Sequence, residues 1–415
     1  MGQEIEIKVL PTIADIAAAE WDACANPADL TGPAERPPAS ASSLAAYNPF
    51  VSYDFLWALE ASGSATRRTG WAPQHLVAAG ADGRATGVMP CYLKSHSRGE
   101  YVFDAGWAEA YERAGGDYYP KLQVSVPFTP ALGRRLLTAP GPNEANVLAA
   151  LAQGLVELTR LRQASSAHVT FLPKDQWDLL AQRGFLQRTD QQFHWHNKGY
   201  AGFDDFLADL AARKRKVVKR ERREAVAVNG IEIDWLTGTD LTEAAWDAFF
   251  SFYMDTGSRK WGRPYLTREF FSLVGQTMAD KILLIMAKRA GRPIAGALNF
   301  IGSDTLYGRH WGAIEHHPFL HFELCYYQAI EFAIRHHLAR VEAGAQGEHK
   351  LARGYLPTTT YSAHFIADPA LRRAIADYLK RERAYVDAAG RELVEFSPFR
   401  RPEPLGAGRE IEEDA

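Results

Sequence analysis

The segment ILLIMAKRAGRPIAGALNFIGSDTLYGRHWGA, residues 282–313, has the clearest strand pattern in this 415-residue chain. Three apolar runs are separated by short turn sequences, RAGR at 289–292 and GSD at 302–304. Apolar runs of strand length that are joined by glycine-containing turns are typical of antiparallel hairpins. The segment therefore predicts a three-stranded antiparallel meander.

The same order of elements occurs twice along the chain. After the meander, apolar side chains recur at helical spacing over residues 322–334, and a short strand follows at 340–345. In the first half, a hairpin, two more strands, a helix and a short strand are predicted at residues 75–79 and 85–93, 101–104 and 122–128, 143–162, and 167–172. We therefore expect 167–172 and 340–345 to be parallel-sheet strands in two superposable domains.

Three antiparallel strands, a helix and a parallel strand form the core order of the GNAT acyltransferase fold, in which the strands flanking the helix splay apart to admit an acyl donor. The predicted fold class is α/β (α+β), with two tandem GNAT-like domains. The first covers residues 1–198 and includes an exposed Pro-rich loop at 31–40. The second covers 199–405 with a basic helix at 206–228, and an acidic tail follows at 406–415.

Composition excludes several classes of protein. A length of 415 residues favours two domains, and the net charge of -3 excludes a uniformly basic nucleic-acid binder. The three cysteines, Cys24, Cys91 and Cys325, are far apart, so neither a disulfide framework nor a thiolate zinc site is expected. The sequence has no apolar run of 18 residues and no basic-then-apolar leader at its start, so we expect a cytoplasmic protein without a transmembrane segment.

Several long strings resemble one known family. They are NPFVSYDFLWALEASGS at 48–64, GWAPQHLV at 70–77, the segment PCYLKSHSRGEY…GRRLL at 90–137, and EAGAQGEHKLARGYLPTTTYSAHFI at 342–366. Together they resemble the FemAB-like family of peptidoglycan biosynthesis/recognition over residues 49–400. The resemblance implies tandem GNAT domains, and relatives in this superfamily transfer amino acids from aminoacyl-tRNA to cell-wall precursors.

The string EAGAQGEHK, residues 342–350, is the candidate catalytic segment. Glu342 or Glu348 would act as the base, His349 titrates near neutrality, and Lys350 would stabilise negative charge in the transition state. The alternative is a Gly-rich surface turn with solvated charges. We expect the neighbouring residues Gln346, Arg353 and Tyr361 to bind substrate.

Two aromatic strings, FDAGW at 103–107 and YGRHWGA at 307–313, are candidates for lining a sugar or peptide cleft. Their substrate-binding candidates are Asp104, Trp107, Arg309 and His310. Packed core strands are the alternative interpretation of both strings.

A donor's phosphates need cations or free amides. In the first half, Gly133, Arg134 and Arg135 are the candidate anion-binding or donor-binding residues, with a basic surface turn as the alternative. In the second half, the segment IEHHPFLHFEL at 314–324 has no glycine and no arginine, which predicts weak coenzyme A binding there. The histidines have no carboxylate or cysteine at ligand spacing, so we expect no metal site.

The segment RKRKVVKRERRE at 213–224 carries eight basic and two acidic residues. This charge density favours a polyanion partner, either tRNA or an anionic lipid-linked precursor, with a solvated helix face as the alternative.

The leading hypothesis is a GNAT-type N-acyltransferase that transfers an acyl or aminoacyl group to an amine on a small-molecule or peptide acceptor. We expect no tightly bound cofactor, with acyl-CoA or aminoacyl-tRNA as co-substrate. The alternative is a non-catalytic recognition module that binds a peptidoglycan-like or peptide ligand in the interdomain cleft.

Overall fold

The computed structural model describes residues 5–27, 47–227, 230–261, 264–344 and 347–400, without the side chains of 259–261 and 348. The predicted loop at 31–40 and the acidic tail at 406–415 lie outside the described residues.

The first half contains nine strands and five α-helices among its described residues. The strands are β1 (Glu6–Leu10), β2 (Trp71–Pro73), β3 (His75–Ala79), β4 (Ala85–Met89), β5 (Tyr92–Lys94), β6 (Lys121–Val124), β7 (Leu137–Thr138), β8 (Ser166–Leu172) and β9 (Leu186–His196). The helices are α1 (Ala18–Ala25), α2 (Tyr53–Ala61), α3 (Ala105–Arg113), α4 (Glu144–Leu161) and α5 (Lys174–Ala181).

The second half has the predicted meander at its centre. The strands are β10 (Ile231–Leu236), β11 (Ile282–Arg289), β12 (Arg292–Ile301), β13 (Thr305–Ala313), β14 (Arg340–Glu342) and β15 (Leu356–Ile366). The helices are α6 (Phe203–Asp209), α7 (Ala212–Val226), α8 (Glu243–Trp261), α9 (Arg268–Thr277), α10 (Leu320–Phe322), α11 (Gln328–Arg335) and α12 (Pro369–Glu395). A π-helical turn, Glu323–Tyr327, connects α10 to α11.

Strands from both halves form one continuous sheet of eleven strands. Its order is β10-β11-β12-β13-β14-β9-β15-β8-β6-β5-β2, beside a separate four-stranded sheet, β1-β3-β4-β7. The last strand of each half is exchanged, since β9 pairs with β14 and β15 pairs with β8. The predicted boundary after residue 198 stays a prediction, but the two halves are joined through this sheet.

The structure confirms the parallel pairs and corrects other predicted elements. Strand β8 is parallel to β6, and β14 is parallel to β13. The predicted strand at residues 101–104 is wrong, because this segment turns into the start of α3. The first-half meander is divided between the two sheets around Pro90, a residue without an N–H for a strand ladder.

The predicted basic helix at 206–228 is two helices, α6 and α7, in the structure. The break falls at Leu210, whose backbone is extended (φ -74°, ψ 147°) and whose side chain is buried. At the break, Leu210 forms an isolated antiparallel bridge with Phe399, and the N–H of Ala211 donates to the carbonyl of Pro398 at 2.9 Å.

One hydrophobic core joins the two halves. The ring of Phe55 on α2 lies 5.7 Å from Phe270 on α9 and 5.3 Å from Phe300 on β12, each nearly perpendicular. Edge-to-face aromatic pairs of this kind stabilise beyond the area that they bury. The core therefore fixes the position of the second-half meander against the first half.

Candidate active site

Strands β13 and β14 run side by side only over Thr305–Tyr307 and Arg340–Glu342, and β13 then continues alone to Ala313. The strands therefore open into a cleft, as the fold class predicts. A cavity of about 110 Å³ occupies this cleft. Among the residues that line it are Asn299, Arg309, His310, His321, Tyr326 and Ala343.

Glu342 is the last residue of β14 and is 3% exposed. Its Oε2 accepts a hydrogen bond of 3.3 Å from the main-chain N–H of Leu132. Its Oε1 has no hydrogen-bond partner among the described residues and lies 3.7 Å from Nε of Arg340. Burial raises the pKa of Glu342 to about 7, although the Arg340 guanidinium opposes the shift. A carboxylate with this pKa can accept a proton near neutral pH.

Lys350 lies beside the exit of β14. Its Nζ donates to the carbonyl oxygens of Ala343 at 2.7 Å and Gly344 at 2.9 Å, and burial lowers its pKa to about 8. Gly347 (φ 118°) and Gly354 (φ 94°) precede and follow the short 3-10 helix that carries the lysine. Both φ values lie in a region that favours glycine, so these glycines allow the chain to fold back over the strand end.

Arg309 comes from an irregularity between β12 and β13, where Leu298 faces His310 and Asn299 faces Gly308. The extra residue is Arg309, and its Nη2 donates to the carbonyl of Phe128 at 2.6 Å. Its Nε has no hydrogen-bond partner in the described part of the chain. A β-bulge commonly re-aims a side chain in this way, and here it places a cation in the cleft.

His310 also lines the cleft, and burial lowers its pKa to about 3, so the ring is neutral at pH 7. Its ring lies 5.1 Å from the ring of Tyr253 on α8. The placement of Arg309 and His310 at the cleft is compatible with the predicted substrate contacts, which stay predictions.

His349 and Arg353 both contact side chains of the helical segments. His349 is exposed and shares a hydrogen bond of 2.9 Å with the hydroxyl of Tyr326. Arg353 pairs with Glu221 of α7 at 2.8 Å and covers the ring of Phe322 at 3.5 Å. Arg353 therefore joins α7 to the segment that carries Lys350.

Two predicted residues of this segment cannot be placed. Gln346 and the side chain of Glu348 lie outside the described residues. His349 bonds Tyr326, which lines the β13–β14 cavity. Lys350 bonds the carbonyl of Ala343, the residue after Glu342. The shared pocket of Glu342, His349 and Lys350 stays a prediction.

Asp104 and Trp107 lie in a buried cluster where the first half meets β15 and α12. Asp104 accepts hydrogen bonds from Nζ of Lys121 at 2.5 Å and from the hydroxyl of Tyr118 at 2.7 Å. Burial would raise the pKa of Asp104, but the Lys121 ammonium outweighs it and holds the pKa below its usual range. Trp107 packs 5.1 Å from the ring of His364. Both predicted cleft residues therefore belong to a helix start packed on the sheet.

Arg135 is fully buried and is used within the protein. Its guanidinium donates to carbonyl oxygens of Ala131 at 2.6 Å, Gly133 at 2.9 Å and Thr170 at 3.0 Å. The main-chain N–H of Gly133 donates to the carbonyl of Phe171 at 3.0 Å. Residues 133–135 thus lie against the end of β8. In the order of elements β8 corresponds to β14, at whose end the second half has its open cleft. In contrast to the prediction, Arg135 has its donors directed at protein carbonyls.

The basic helix α7 has two different faces. Its inner face pairs Glu221 with Arg353, and Arg222 with Glu323 at 2.9 Å and Glu331 at 2.8 Å. The outer face forms an open concavity of about 400 Å³, lined by Ala212, Arg213, Lys216, Val217 and Arg220. Glu221 and Arg222 of the predicted polyanion segment are therefore structural, and Arg213, Lys216 and Arg220 are exposed to solvent.

No group of three His, Cys, Asp or Glu residues in the described ranges is arranged to hold a metal ion. The alternating histidines of β9 differ from each other, since His194 is buried beside Gln192 and His196 is exposed.

Sequence reasoning missed three contributors to this site. Arg340 stands two residues before Glu342, so strand alternation would have placed both on one face of the sheet. The sequence predicts Tyr326 as part of an apolar helix face and does not indicate that its hydroxyl bonds His349. The Leu132 amide carries no side-chain signal, so only the structure reveals its bond to Glu342.

A family model described as peptidoglycan biosynthesis/recognition matches residues 12–401. The chain belongs to the FemAB-like family. The predicted mixed α/β fold class is confirmed by the helices and sheets of the structure. No curated protein matches the chain.

Several solved structures have a similar backbone, and three of them are FemX, a tandem GNAT protein and L-PGS. FemX is 12% identical, with 75% of this chain and 92% of that chain covered at a TM-score of 0.47. A tandem GNAT protein from the clavulanic acid biosynthesis pathway is 16% identical, with 88% and 99% covered at 0.45. L-PGS from Bacillus licheniformis is 8% identical, with 80% and 98% covered at 0.47. No helix of the FemAB-like chain, within the residues described, has the length and apolar character needed to cross a membrane.

Proposed function

We propose that this FemAB-like protein is an N-acyltransferase that moves an acyl or aminoacyl group to an amine, with Glu342 as the general base. The observation that carries the proposal is the Glu342 carboxylate at the end of β14, where the pairing of β13 with β14 stops. It is buried, its pKa is raised to about 7, and its Oε1 has no hydrogen-bond partner in the described residues. Catalytic bases are commonly tuned in this manner by burial.

The proposed step needs only a proton acceptor and positive charge. The neutral amine of the acceptor attacks the carbonyl carbon of the donor, and Glu342 takes the one proton that this nitrogen loses. A carbon–nitrogen bond forms, the carbonyl carries an oxyanion, and the bond to the thiolate or alkoxide leaving group then breaks. The leaving group receives the proton. Arg309 and Lys350 are the nearby cations that would favour the oxyanion electrostatically.

The donor and acceptor are proposed from the family and from the charge of α7. A family of peptidoglycan biosynthesis/recognition favours a cell-wall precursor or a peptide as the acceptor. The donor is acyl-CoA or aminoacyl-tRNA. The exposed basic face of α7 supports a donor or acceptor with several phosphates.

A binding screen followed by a transfer assay tests this proposal. Thermal shift and native mass spectrometry would examine acyl-CoAs, charged tRNA and cell-wall precursors, because a ligand that binds the folded state raises its stability. Single-turnover transfer would then be compared between the wild type, Glu342→Gln and the control Glu232→Gln, an exposed carboxylate on β10. We expect transfer to fall about 100-fold or more in Glu342→Gln only.

The recognition-module alternative predicts a different result. A ligand would bind tightly, no transfer product would form with any donor, and Glu342→Gln would leave the affinity unchanged. The absence of glycine from the segment 314–324, where α10 begins, is the feature that favours this alternative.

A further inference from the structure

A second cavity, of about 150 Å³, lies where the two halves meet. Residues of the first half, of β13 and β14, and of the exchanged strand β15 all line it. Its polar lining residues include Asn48, Arg134, Tyr307, Arg340, Thr359 and Tyr361. A cavity of this volume with several polar groups can hold a ligand of a few heavy atoms.

The protein holds the two arginines of this junction cavity differently. Arg340 lies 3.7 Å from Glu342 and 3.5 Å from Asp304, both longer than the 2.7–2.9 Å of close charge-assisted hydrogen bonds. Its Nε has no hydrogen-bond partner in the described residues. Arg134 is anchored through Nη2 to the carbonyl of Ala25 at 2.8 Å. Arg340 can therefore still bind a carboxylate with two parallel hydrogen bonds, and Arg134 adds a second positive charge to the cavity.

Glu342 stands between the junction cavity and the β13–β14 cleft. On the junction side, three lining residues adjoin it: Leu132 through its N–H, Arg340 through Nε, and Tyr307 as its partner in the strand pair. On the cleft side, Ala343 follows it in sequence. The unpartnered Oε1 faces Arg340, which places the carboxylate oxygen beside the junction cavity.

We propose that the junction cavity binds the acceptor, and that the acceptor presents an α-amino carboxylate, meaning an amine and a carboxylate on one carbon. This inference rests on the proposed function. A carboxylate on Arg340 and Arg134 places the neighbouring amine next to Glu342, because Glu342 and Arg340 are themselves only 3.7 Å apart. The acyl donor then occupies the β13–β14 cleft, and the two substrates meet at Glu342.

Small amino acids test this inference without knowledge of the natural acceptor. Saturation-transfer NMR on the full chain would use D-alanine, L-alanine and glycine as probes, with alaninamide and ethylamine as matched amines without a carboxylate. We expect saturation transfer with at least one amino acid and at least tenfold weaker binding of the corresponding amines. Arg134→Gln should weaken binding of the amino acid at least tenfold. Arg134→Lys keeps the charge and should weaken binding less.

A second variant guards against misfolding, since Arg134 also holds Ala25. Thr359→Val removes a lining hydroxyl at nearly constant side-chain volume. It should measurably weaken binding of the amino acid, and the melting temperature should stay near the wild-type value. Equal binding of alanine and alaninamide would overturn the inference, and so would unchanged affinity in Arg134→Gln. Binding of none of the five probes would also overturn it.

The two proposals fail separately. Glu342→Gln should abolish transfer but keep alanine binding, because the carboxylate contacts remain. Transfer to amines without a carboxylate, together with no binding of alanine, would refute the acceptor class alone. Alanine binding without any transfer would refute the acyltransferase proposal alone.

Discussion

The main-chain N–H of Leu132 donates a hydrogen bond of 3.3 Å to Oε2 of Glu342, across 210 positions of sequence. The donor belongs to the segment after β6, and the acceptor ends β14. The carbonyl oxygen of Phe128, in the same segment, accepts a hydrogen bond from the guanidinium of Arg309. One first-half segment therefore positions both the proposed base and a cation beside it.

The raised pKa of Glu342 predicts a pH-dependent stability difference. The folded-state pKa is about 7 and the ordinary value is 4.5, so the folded chain holds this proton more tightly than the unfolded chain. The resulting stabilisation is complete below pH 4.5 and is lost as the pH rises to 7. The free energy of unfolding of the wild type should therefore fall, relative to Glu342→Gln, by up to about 3 kcal/mol between these pH values.

Urea titrations at pH 5 and pH 8 measure this difference. The m-value should be the same in both proteins, so that the midpoints report stability. Glu232→Gln, on an exposed position, should track the wild type at both pH values. A constant offset between Glu342→Gln and the wild type would show that the carboxyl has an ordinary pKa.

The buried ammonium of Lys350 predicts a combined loss of activity and stability in Lys350→Met. Two carbonyl oxygens, of Ala343 and Gly344, would lose their donor, and an unsatisfied buried acceptor costs about 1–3 kcal/mol. Transfer should fall about 100-fold if the lysine also stabilises the transition state. Activity is therefore measured well below the melting temperature.

The matched control is Lys288→Met. Lys288 on β11 is partly exposed and pairs with Asp234 at 2.5 Å, so its replacement should change stability by less than about 1 kcal/mol. If the two variants transfer equally well when folded, Lys350 has no role in catalysis.

The second-half fold could be predicted because its pairing is local. Strands β11, β12 and β13 are joined by short turns, so apolar runs and turn residues fix their order. The exchange of β9 and β15 could not be predicted, because strands of similar pattern can pair with either half, and only the packed molecule decides.

The site was predictable to the extent that chemistry follows residue type. The cluster of charged residues and glycines at 342–350 indicates Glu342 and Lys350 as site residues, and the structure places both at the end of β14. Arg135 was misjudged as a ligand contact because sequence does not show that a guanidinium is surrounded by four carbonyl oxygens.

The outer face of α7 predicts salt-dependent binding of a polyanion. Replacing Arg213, Lys216 and Arg220 with Gln removes three cations that line the concavity and should leave folding intact, because these side chains are exposed. Affinity for tRNA or for anionic vesicles should fall, and the slope of log K against log salt should decrease by about 0.7–0.9 for each lost phosphate contact.

Filter binding between 50 and 200 mM salt, a range in which phosphate contacts weaken strongly, gives this slope. A triple variant of exposed α12 residues, Arg373, Arg381 and Arg391 to Gln, changes the net charge equally and is the control. Equal losses in the two triple variants would attribute the effect to overall charge and not to α7.

The packing of residues 133–135 against β8 predicts one donor site per chain. In the second half, β13 and β14 diverge around a cavity of about 110 Å³. In the first half, the corresponding space beyond β6 and β8 holds Gly133, whose N–H bonds Phe171, and Arg135, whose guanidinium bonds Thr170. A donor would have to displace these buried contacts, each of which costs about 1–3 kcal/mol when left unmade. Calorimetry or native mass spectrometry with acyl-CoA or charged tRNA should therefore give at most one bound donor.

The variant Arg135→Met tests the same packing from the side of stability. Removal of the guanidinium leaves the carbonyl oxygens of Ala131, Gly133 and Thr170 without their hydrogen-bond donor in a buried environment. We expect the free energy of unfolding to drop by about 3 kcal/mol or more, measured as a lower urea midpoint, while Arg113→Met on the exposed face of α3 changes little. Two donors bound per wild-type chain, or an unchanged midpoint in Arg135→Met, would mean that residues 133–135 leave the first-half cleft open to a ligand.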